Sequence, residues 1–188
     1  MKLAPYDDLN VLRVRVESVG QSEMTPKQKR REINDMLTDL LEYAYLYGVD
    51  DLNEMIGTDL LPSGKHMTDT IFKMVAGKDV TERVNGYVDD SGTVGVDEII
   101  RLAESEMTRD YNDSLVENAR MTGIGLKKSW ETMRDGKVRP THEPLQGVTI
   151  GLDEKFVAPD GDTAMGPGGF EKAENNAGCR CHLRISRL

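Results

Sequence analysis

The sequence predicts an α+β fold, in which a helical N-terminal part and a long helix pack on a small C-terminal antiparallel sheet. Apolar residues between Val96 and Met121 recur at steps of three and four, which is the spacing of an amphipathic helix with an apolar side in the core and a polar side in solvent. The pattern changes after Gly123 and Gly125, where apolar and polar residues begin to alternate. We therefore expect three strands in the last third of the chain, over residues 126–133, 147–152 and 180–185.

The N-terminal part is expected to be mostly helical. Its first element is an exception, because valines alternate with arginines over residues 11–16 and predict a short strand. A helix then begins after Thr25, since Thr25, Pro26 and Gln28 form the signature of a capped helix N-terminus. Apolar residues at helical spacing continue from there to Gly48, where we expect this helix to end.

A glycine- and proline-containing stretch over residues 57–64 is the best candidate for a boundary. We expect residues 1–64 to form a mostly helical segment of unknown role. Residues 65–188 are expected to form a second domain, with helices over 65–122 and a small sheet with a long loop over 123–188. Two short helices are predicted before the long one, over residues 68–75 and 80–87.

The composition excludes several classes of protein. A net charge of −9 argues against a general nucleic-acid binder, because such proteins present a basic face to the phosphates. No apolar run approaches the ~18 residues that a membrane-spanning helix needs. Two cysteines in 188 residues do not make the framework of a secreted disulfide-rich protein. We therefore expect a cytoplasmic chain that does not enter a membrane.

Arg139 and His142 are the first candidates for chemistry. They are three residues apart and follow a turn at Asp135 and Gly136. An Arg beside a His could bind a phosphate and transfer a proton, as in a small nuclease. The alternative is structural: Arg139 forms an ion pair with Asp135, and His142 forms a hydrogen bond to the backbone. We favour the structural interpretation, in which neither residue is catalytic.

Cys179 and Cys181 are the second candidates. Residues two apart on a strand face the same side, so both thiols are expected to point one way. A metal such as zinc needs further ligands, and His142 and Asp135 are the candidates to supply them. Buried free thiols and a strained disulfide are the alternatives. No cofactor is expected, although zinc is the candidate if the pair binds a metal.

Two other features of the last third have structural or functional interpretations. Trp130 is expected to anchor the core where the helix meets the sheet, with an exposed stacking platform as the alternative. Residues 157–178 form a long loop rich in glycine and proline. Loops of this length in a compact domain are usually functional or are ordered by a partner.

Taken together, the motifs resemble the phage Mu F-like minor head protein family, the viral head-morphogenesis proteins. The resemblance covers roughly residues 65–187, including polar residues of the long helix at Glu104 or Glu106, Asn112 and Asn118. One departure is Gly178, where the family usually has Asn. The motif is carried by Trp130, Thr132, Asp135, Val138, Arg139, His142, Leu145, Gly147, Phe156, Pro167, Cys179, Arg180 and Cys181.

The resemblance implies a structural minor capsid protein of a tailed phage or prophage. Its implied partners are portal, capsid or scaffold proteins inside the head, with packaged DNA as an indirect partner and with an oligomeric arrangement in the virion. Its implied location is the virion, after assembly in the bacterial cytoplasm. We expect the long helix and the loop over residues 157–178 to make the contacts. The alternative function is a small nuclease or injected effector that uses His142 and Arg139.

Overall fold

The fold is built around two long helices, Pro26–Ile56 and Val96–Met121, which pack against each other. The computed structural model describes residues 6–75 and 77–188, without the side chains of residues 6 and 7, so residues 1–5 of the predicted N-terminal segment lie outside it. The helices are α1 (Tyr6–Gln21), α2 (Pro26–Ile56), α3 (Gly64–Ile71), α4 (Val80–Asn85), α5 (Val96–Met121) and α6 (Ala173–Asn176). The strands are β1 (Leu126–Glu131), β2 (Thr149–Gly151), β3 (Phe156–Val157), β4 (Thr163–Ala164) and β5 (His182–Arg187). The predicted α+β class is confirmed.

The strand predicted over residues 11–16 is wrong, because this stretch lies inside α1. Leu12, Val16 and Val19 are buried, and their steps of four and three place them on one face of a helix. Val11 and Val14 are exposed on the other side. The alternation of valine with arginine was therefore incidental, and packing of the helical face against α2 and α5 outweighs the strand preference of valine.

The predicted start of α2 is confirmed and its predicted end is wrong. Thr25 and Gln28 form a reciprocal capping box, with the Gln28 amide donating to Thr25 Oγ1 at 3.3 Å. The helix continues through Gly48 and ends eight residues later, where Gly57 takes the left-handed conformation at φ 65°. Gly48 is buried against α5. Its lack of a side chain serves the contact between the two helices rather than a helix end.

The predicted long helix is confirmed as α5, over Val96–Met121. Its polar side was expected to face solvent, and that expectation is wrong. Glu106, Arg109, Asn112 and Asn118 are all buried, because α5 packs on α1, α2, α3 and β5 at once. A helix surrounded in this way is mainly a core element, and the expectation that it contacts a partner protein stays a prediction.

The two short helices exist, with shifted bounds. The helix predicted over 68–75 begins earlier, at Gly64, because the side chain of Ser63 accepts a hydrogen bond from the amide of His66 and caps the start. The helix predicted over 80–87 ends at Asn85. It begins with a capping box between Asp79 and Glu82.

The C-terminal sheet is antiparallel, with the strand order β2-β1-β5. Its strands correspond to the three predicted ones, although the last lies two residues later than expected. Trp130 on β1 pairs with Leu183 on β5, and both side chains are completely buried. Trp130 therefore anchors the core, and the alternative of an exposed stacking platform is wrong.

The long loop over residues 157–178 is ordered by its own side chains. It contributes to the β3–β4 hairpin and contains α6. Asp162 is buried, and its carboxylate accepts hydrogen bonds from the amides of Thr163, Glu171 and Lys172 and from the side chain of Asn175. Closing the loop therefore does not require a partner.

The core consists of two clusters of buried apolar side chains, and α2 and α5 contribute to both. One cluster contains Trp130 and the sheet, and the other contains α1, α3 and α4. Contacts between α2 and α5 thus join residues on both sides of position 64, and the division into two domains there stays a prediction. Among the described residues, no helix is long and apolar enough to cross a membrane.

Candidate functional site

The side chains with the most distinctive chemistry meet at one point between the sheet and the long helix. Nδ1 of His142 lies 3.6 Å from Sγ of Cys179 and 3.6 Å from Sγ of Cys181. All three residues are buried, and the cysteines are free thiols. The structure thus brings together three of the four residues that the sequence suggested as metal ligands and places Asp135 elsewhere.

The position of His142 is set by a tight turn. Its amide donates to the carbonyl of Arg139 at 2.9 Å, and His142 directly precedes the 3₁₀ turn Glu143–Leu145. The turn brings the imidazole inward, where it is 1% exposed. The expected hydrogen bond from the ring to the backbone is not formed: Nδ1 faces the two sulfurs, and Nε2 has no hydrogen-bond partner among the described residues.

The cysteines are held by α5. Thr108 Oγ1 donates to the carbonyl of Cys179 at 2.8 Å. One turn further along, Asn112 accepts from the amide of Leu183 at 2.8 Å and extends its amide nitrogen to the carbonyl of Cys181 at 3.4 Å. The long helix therefore fixes the backbone on both sides of the pair. Both thiols face His142, as expected, although the two cysteines lie just before β5 and not on a strand.

The two thiols have opposite tendencies to ionise. Hydrogen bonding from Cys181 and from His142 lowers the pKa of Cys179, against the effect of burial. The same interaction with Cys179, together with burial, raises the pKa of Cys181. The two pKa values therefore move apart, because one thiol stabilises the other's thiolate.

Aromatic rings enclose the cluster. Trp130 contacts His142 edge to face, with ring centroids 5.3 Å apart, and it contacts Phe156 in the same way at 5.2 Å. Phe170 lies 5.3 Å from the imidazole and 5.6 Å from the indole. Phe170 was not identified from the sequence, where it is an isolated aromatic residue in a glycine-rich loop. These rings shield the imidazole and the two sulfur atoms from water on the core side.

The remaining motif residues fix the turn that carries His142. The amide of Thr132 donates to the side-chain oxygen of Gln146 at 2.7 Å, and the Thr132 hydroxyl contacts the same oxygen at 2.6 Å. Gly147, at φ 76°, donates its amide to the carbonyl of Trp130 at 2.7 Å. Gln146 was missed by the sequence reasoning, although its place between Leu145 and Gly147 of the motif was a usable signal.

Arg139 and Asp135 do not pair with each other, so that expectation is wrong. Arg139 donates to the carbonyl of Glu174 at 2.5 Å and to the carbonyl of Ala177. Asp135 instead forms an ion pair with Arg180 at 2.6 Å, and this hydrogen bond lowers the pKa of the Asp135 carboxyl. Both arginines therefore hold together segments that are far apart in the sequence.

A small cavity adjoins the cluster. It has a volume of about 20 Å³ and is lined by the three clustered residues and by Met133, Lys137, Val138, Arg139, Gly178 and Arg180. This volume exceeds the ~10–15 Å³ that one water molecule needs. Glu104 of α5 lies close to Cys179 and Arg180, and burial raises the pKa of its carboxyl. The cavity has room for a small ligand and none for a nucleotide.

A second group of buried ionisable side chains lies on α5, away from the cysteines. Arg109 is 2% exposed and pairs with Glu106 and Asp110, each at 2.8 Å. It also donates to the carbonyls of Thr70 and Ile71, where α3 ends. The sequence placed these polar residues on a solvated face, so their role in fixing α3 to α5 was missed.

The comparisons with known proteins agree with the motif. The family model described as "Phage Mu protein F like protein" matches residues 66–184, which is more than half of the chain. This match confirms the resemblance predicted over residues 65–187.

A second comparison finds similarity to a protein that is named as an enzyme. An Enterococcus faecalis protein named NAD(+)–arginine ADP-ribosyltransferase EFV is 30% identical over 108 residues, which is 56% of this chain and 22% of that protein. The chain thus spans about a fifth of the length of this relative. No solved structure matches the chain.

Proposed function

The chain belongs to the phage Mu protein F like family, and on that premise we propose that it is a minor capsid protein that docks on portal or capsid proteins inside a phage head. The family membership supports a structural role in the assembly of a bacteriophage head. The docking role, the portal, capsid or scaffold partner and the location in the virion after cytoplasmic assembly are parts of the proposal.

The observation that supports a structural role is the burial of the motif itself. Trp130 is 0% exposed and His142 is 1% exposed, and Cys179 and Cys181 are buried beside them. Catalytic groups must reach a substrate, whereas these side chains contact one another and the core. The motif that resembles the family therefore lies in the core of the fold, which suits a protein that is assembled into a larger structure.

We place the docking surface on the first two helices. Val11 is 57% exposed, Val14 is 65% exposed and Tyr43 of α2 is 49% exposed. Val11 and Tyr43 line a cleft of about 220 Å³ between α1 and α2, together with Asp8, Leu12, Arg15, Met36, Asp39 and Leu40. These residues lie before the region that matches the family, where attachment to a particular virion partner can differ without disturbing the shared domain.

The positions of His142 and Arg139 argue against the alternative function as a nuclease. His142 is 1% exposed and packs against Trp130 and Phe170, and the guanidinium of Arg139 donates to the carbonyls of Glu174 and Ala177. Neither side chain is placed to bind a phosphate. The ADP-ribosyltransferase relative shares a region equal to 22% of its own length, so its name describes a much larger protein.

Binding of the purified full chain to the portal, scaffold and major capsid proteins of its own phage tests the proposal. We expect one of them to bind, and Val14→Glu to weaken that binding at least ~10-fold, because a charge would be buried in an apolar contact. Val157→Glu is the matched control, since Val157 is 61% exposed on the β3–β4 hairpin.

Two outcomes would count against the proposal. Failure of the unaltered chain to bind any of the head proteins would contradict the docking role itself. Equal loss of binding in both variants, or a loss confined to Val157→Glu, would remove the docking surface from α1 and α2. ADP-ribosyl transfer from NAD⁺ to arginine or cleavage of RNA or DNA by the same sample, lost in folded His142→Ala, would replace the structural function with an enzymatic one.

A further inference from the structure

We propose that His142, Cys179 and Cys181 bind one zinc ion, which fastens the turn around His142 to the segment before β5. The donor atoms are Nδ1 of the imidazole and the two Sγ atoms. Thiolate and imidazole are the ligands that zinc takes in proteins, and together they favour zinc over magnesium or calcium. This inference goes beyond the structural role in the head and does not depend on it.

The distances between the donor atoms fit a tetrahedral site. Zinc lies about 2.3 Å from a thiolate and about 2.0–2.1 Å from an imidazole nitrogen, so two such ligands at the tetrahedral angle lie about 3.5–3.6 Å apart. Nδ1 of His142 is 3.6 Å from each sulfur. All three donor atoms lie within 4.8 Å of one another. Both nitrogen–sulfur distances therefore match an edge of a zinc tetrahedron, and the two sulfurs are close enough to bind the same ion.

Hydrogen bonds account for the position of His142 between the two sulfurs less well than a bound metal ion does. A neutral imidazole nitrogen has either one lone pair or one proton, so Nδ1 can form one well-directed hydrogen bond. Here it has two sulfurs at the same distance of 3.6 Å. A metal ion between the three atoms interacts with all of them at once, and it compensates the burial of two thiolates with its own double positive charge.

The fourth ligand is a water molecule in the adjoining cavity. With three protein ligands, a tetrahedral ion keeps one open position. The cavity of about 20 Å³ lies on the side of the cluster that the aromatic rings leave free, and Lys137, Arg139 and Arg180 line its wall. Two thiolates neutralise the zinc, so a neutral water suits the position.

The ion would join segments that are distant in the sequence. His142 lies 37 residues before Cys179, and the loop between them contains β2, β3, β4 and α6. A zinc link across this loop restricts the unfolded chain and stabilises the folded one through binding. We therefore expect the C-terminal sheet to depend on the metal more than α1 and α2 do.

Metal content and metal exchange in the full chain test the proposal. We expect one zinc per chain after purification without chelator, and a thermal midpoint that falls by at least ~5 °C when a chelator removes the ion. Replacing zinc with Co²⁺ should give the intense visible absorption of a tetrahedral cobalt thiolate. That spectrum is read on the unaltered chain, so it remains informative if a variant fails to fold.

Variants assign the ligands. Cys179→Ser, Cys181→Ser and His142→Gln should each weaken zinc binding by more than ~100-fold, beyond the 10–100-fold typical of an outer contact. His66→Ala is the matched control, since His66 belongs to α3 and lies outside the cluster. A chain that binds neither zinc nor Co²⁺, or a Cys179→Ser variant that binds zinc as tightly as the unaltered chain, would overturn the proposal.

Discussion

Gly48 of α2 and Ser114 of α5 meet at a point where the two longest helices leave no room for a methyl group. A Cβ atom placed on Gly48 would lie 1.9 Å from Oγ of Ser114 and 2.8 Å from the carbonyl oxygen of Tyr111. The close approach lets α2 and α5 share two apolar clusters, one of which contains Trp130. The contact therefore supports both the helical part and the sheet.

Gly48→Ala should destabilise the protein although alanine is the better helix former. Alanine favours a helix by about 1 kcal/mol over glycine, but overpacking a tight contact costs about 1–3 kcal/mol and here involves backbone atoms. We expect a net loss of about 1 kcal/mol or more in the free energy of unfolding, measured by urea denaturation.

Two further variants make this test specific. Gly64→Ala is the control, because a Cβ atom there would meet none of the described residues within 4 Å, and its effect should stay within about 0.5 kcal/mol. Removing the hydroxyl in a Gly48→Ala, Ser114→Ala double variant should recover part of the loss. A Gly48→Ala variant as stable as the unaltered chain would show that α2 and α5 can separate without cost.

Asn112 is the residue on which the geometry of the cysteine segment depends most directly. It accepts a hydrogen bond from the amide of Leu183 and donates to the carbonyls of Thr108, Pro167 and Cys181, all from a position that is 1% exposed. Asn112→Ala leaves a buried backbone amide unpaired, which costs about 1–3 kcal/mol.

Asn112→Ala should also loosen the backbone around Leu183, in addition to lowering the stability of the whole protein. Hydrogen exchange should accelerate at the amide of Leu183 more than at the amides of α1, because the hydrogen bonds that Asn112 forms among the described residues do not involve α1. Asn34→Ala is the control: Asn34 is only partly buried, and its amide nitrogen donates to Arg30 and Asn85 at the edge of the helical part. Unchanged exchange at Leu183 would contradict the role assigned to Asn112.

The sequence predicted best what depends on local pattern. The capping box at Thr25 and the apolar spacing of α5 are encoded within a few residues, and both are confirmed. Gly48 was misjudged because a helix end and a tight helix contact both favour glycine, and only the position of Ser114 distinguishes them.

At the site around His142, too, local spacing was predictable from the sequence and contacts between distant segments were not. The i, i+2 spacing of Cys179 and Cys181 predicted that both thiols face one way, and the motif brought His142 into consideration. The partners of Arg139 and Asp135 could not be predicted, because they lie on segments 35 and more residues away in the sequence. Charge alone suggested that these two residues pair, whereas the fold gives each a different partner.

Asp110 gives the protein a dependence of stability on pH. Its carboxyl is completely buried, and burial raises its pKa to about 8, although the neighbouring Arg109 acts in the opposite direction. One carboxyl oxygen, Oδ2, has no hydrogen-bond partner among the described residues. In an unfolded chain the same carboxyl ionises near pH 4.

The direction of the effect follows from proton counting. Between about pH 4 and pH 8 the folded protein keeps a proton on Asp110 that the unfolded chain has lost. The free energy of unfolding therefore falls as the pH rises through this window, and the contribution levels off above it. Asp110→Asn removes the ionisable group and keeps the shape of the side chain. As the pH rises from 5 to 8, the free energy of unfolding of the variant should therefore increase by about 2–4 kcal/mol relative to that of the unaltered chain.

Urea denaturation at several pH values measures this difference directly. Asp153→Asn removes a carboxylate whose side chain is 84% exposed, and it controls for the loss of one negative charge from an acidic protein. Arg109 donates to Asp110 at 2.8 Å, so a carboxylate that stays ionised in the fold would instead make Asp110→Asn destabilising at every pH. A stability difference that does not change between pH 5 and pH 8 would therefore show that the ion pair with Arg109 outweighs the cost of burying the charge.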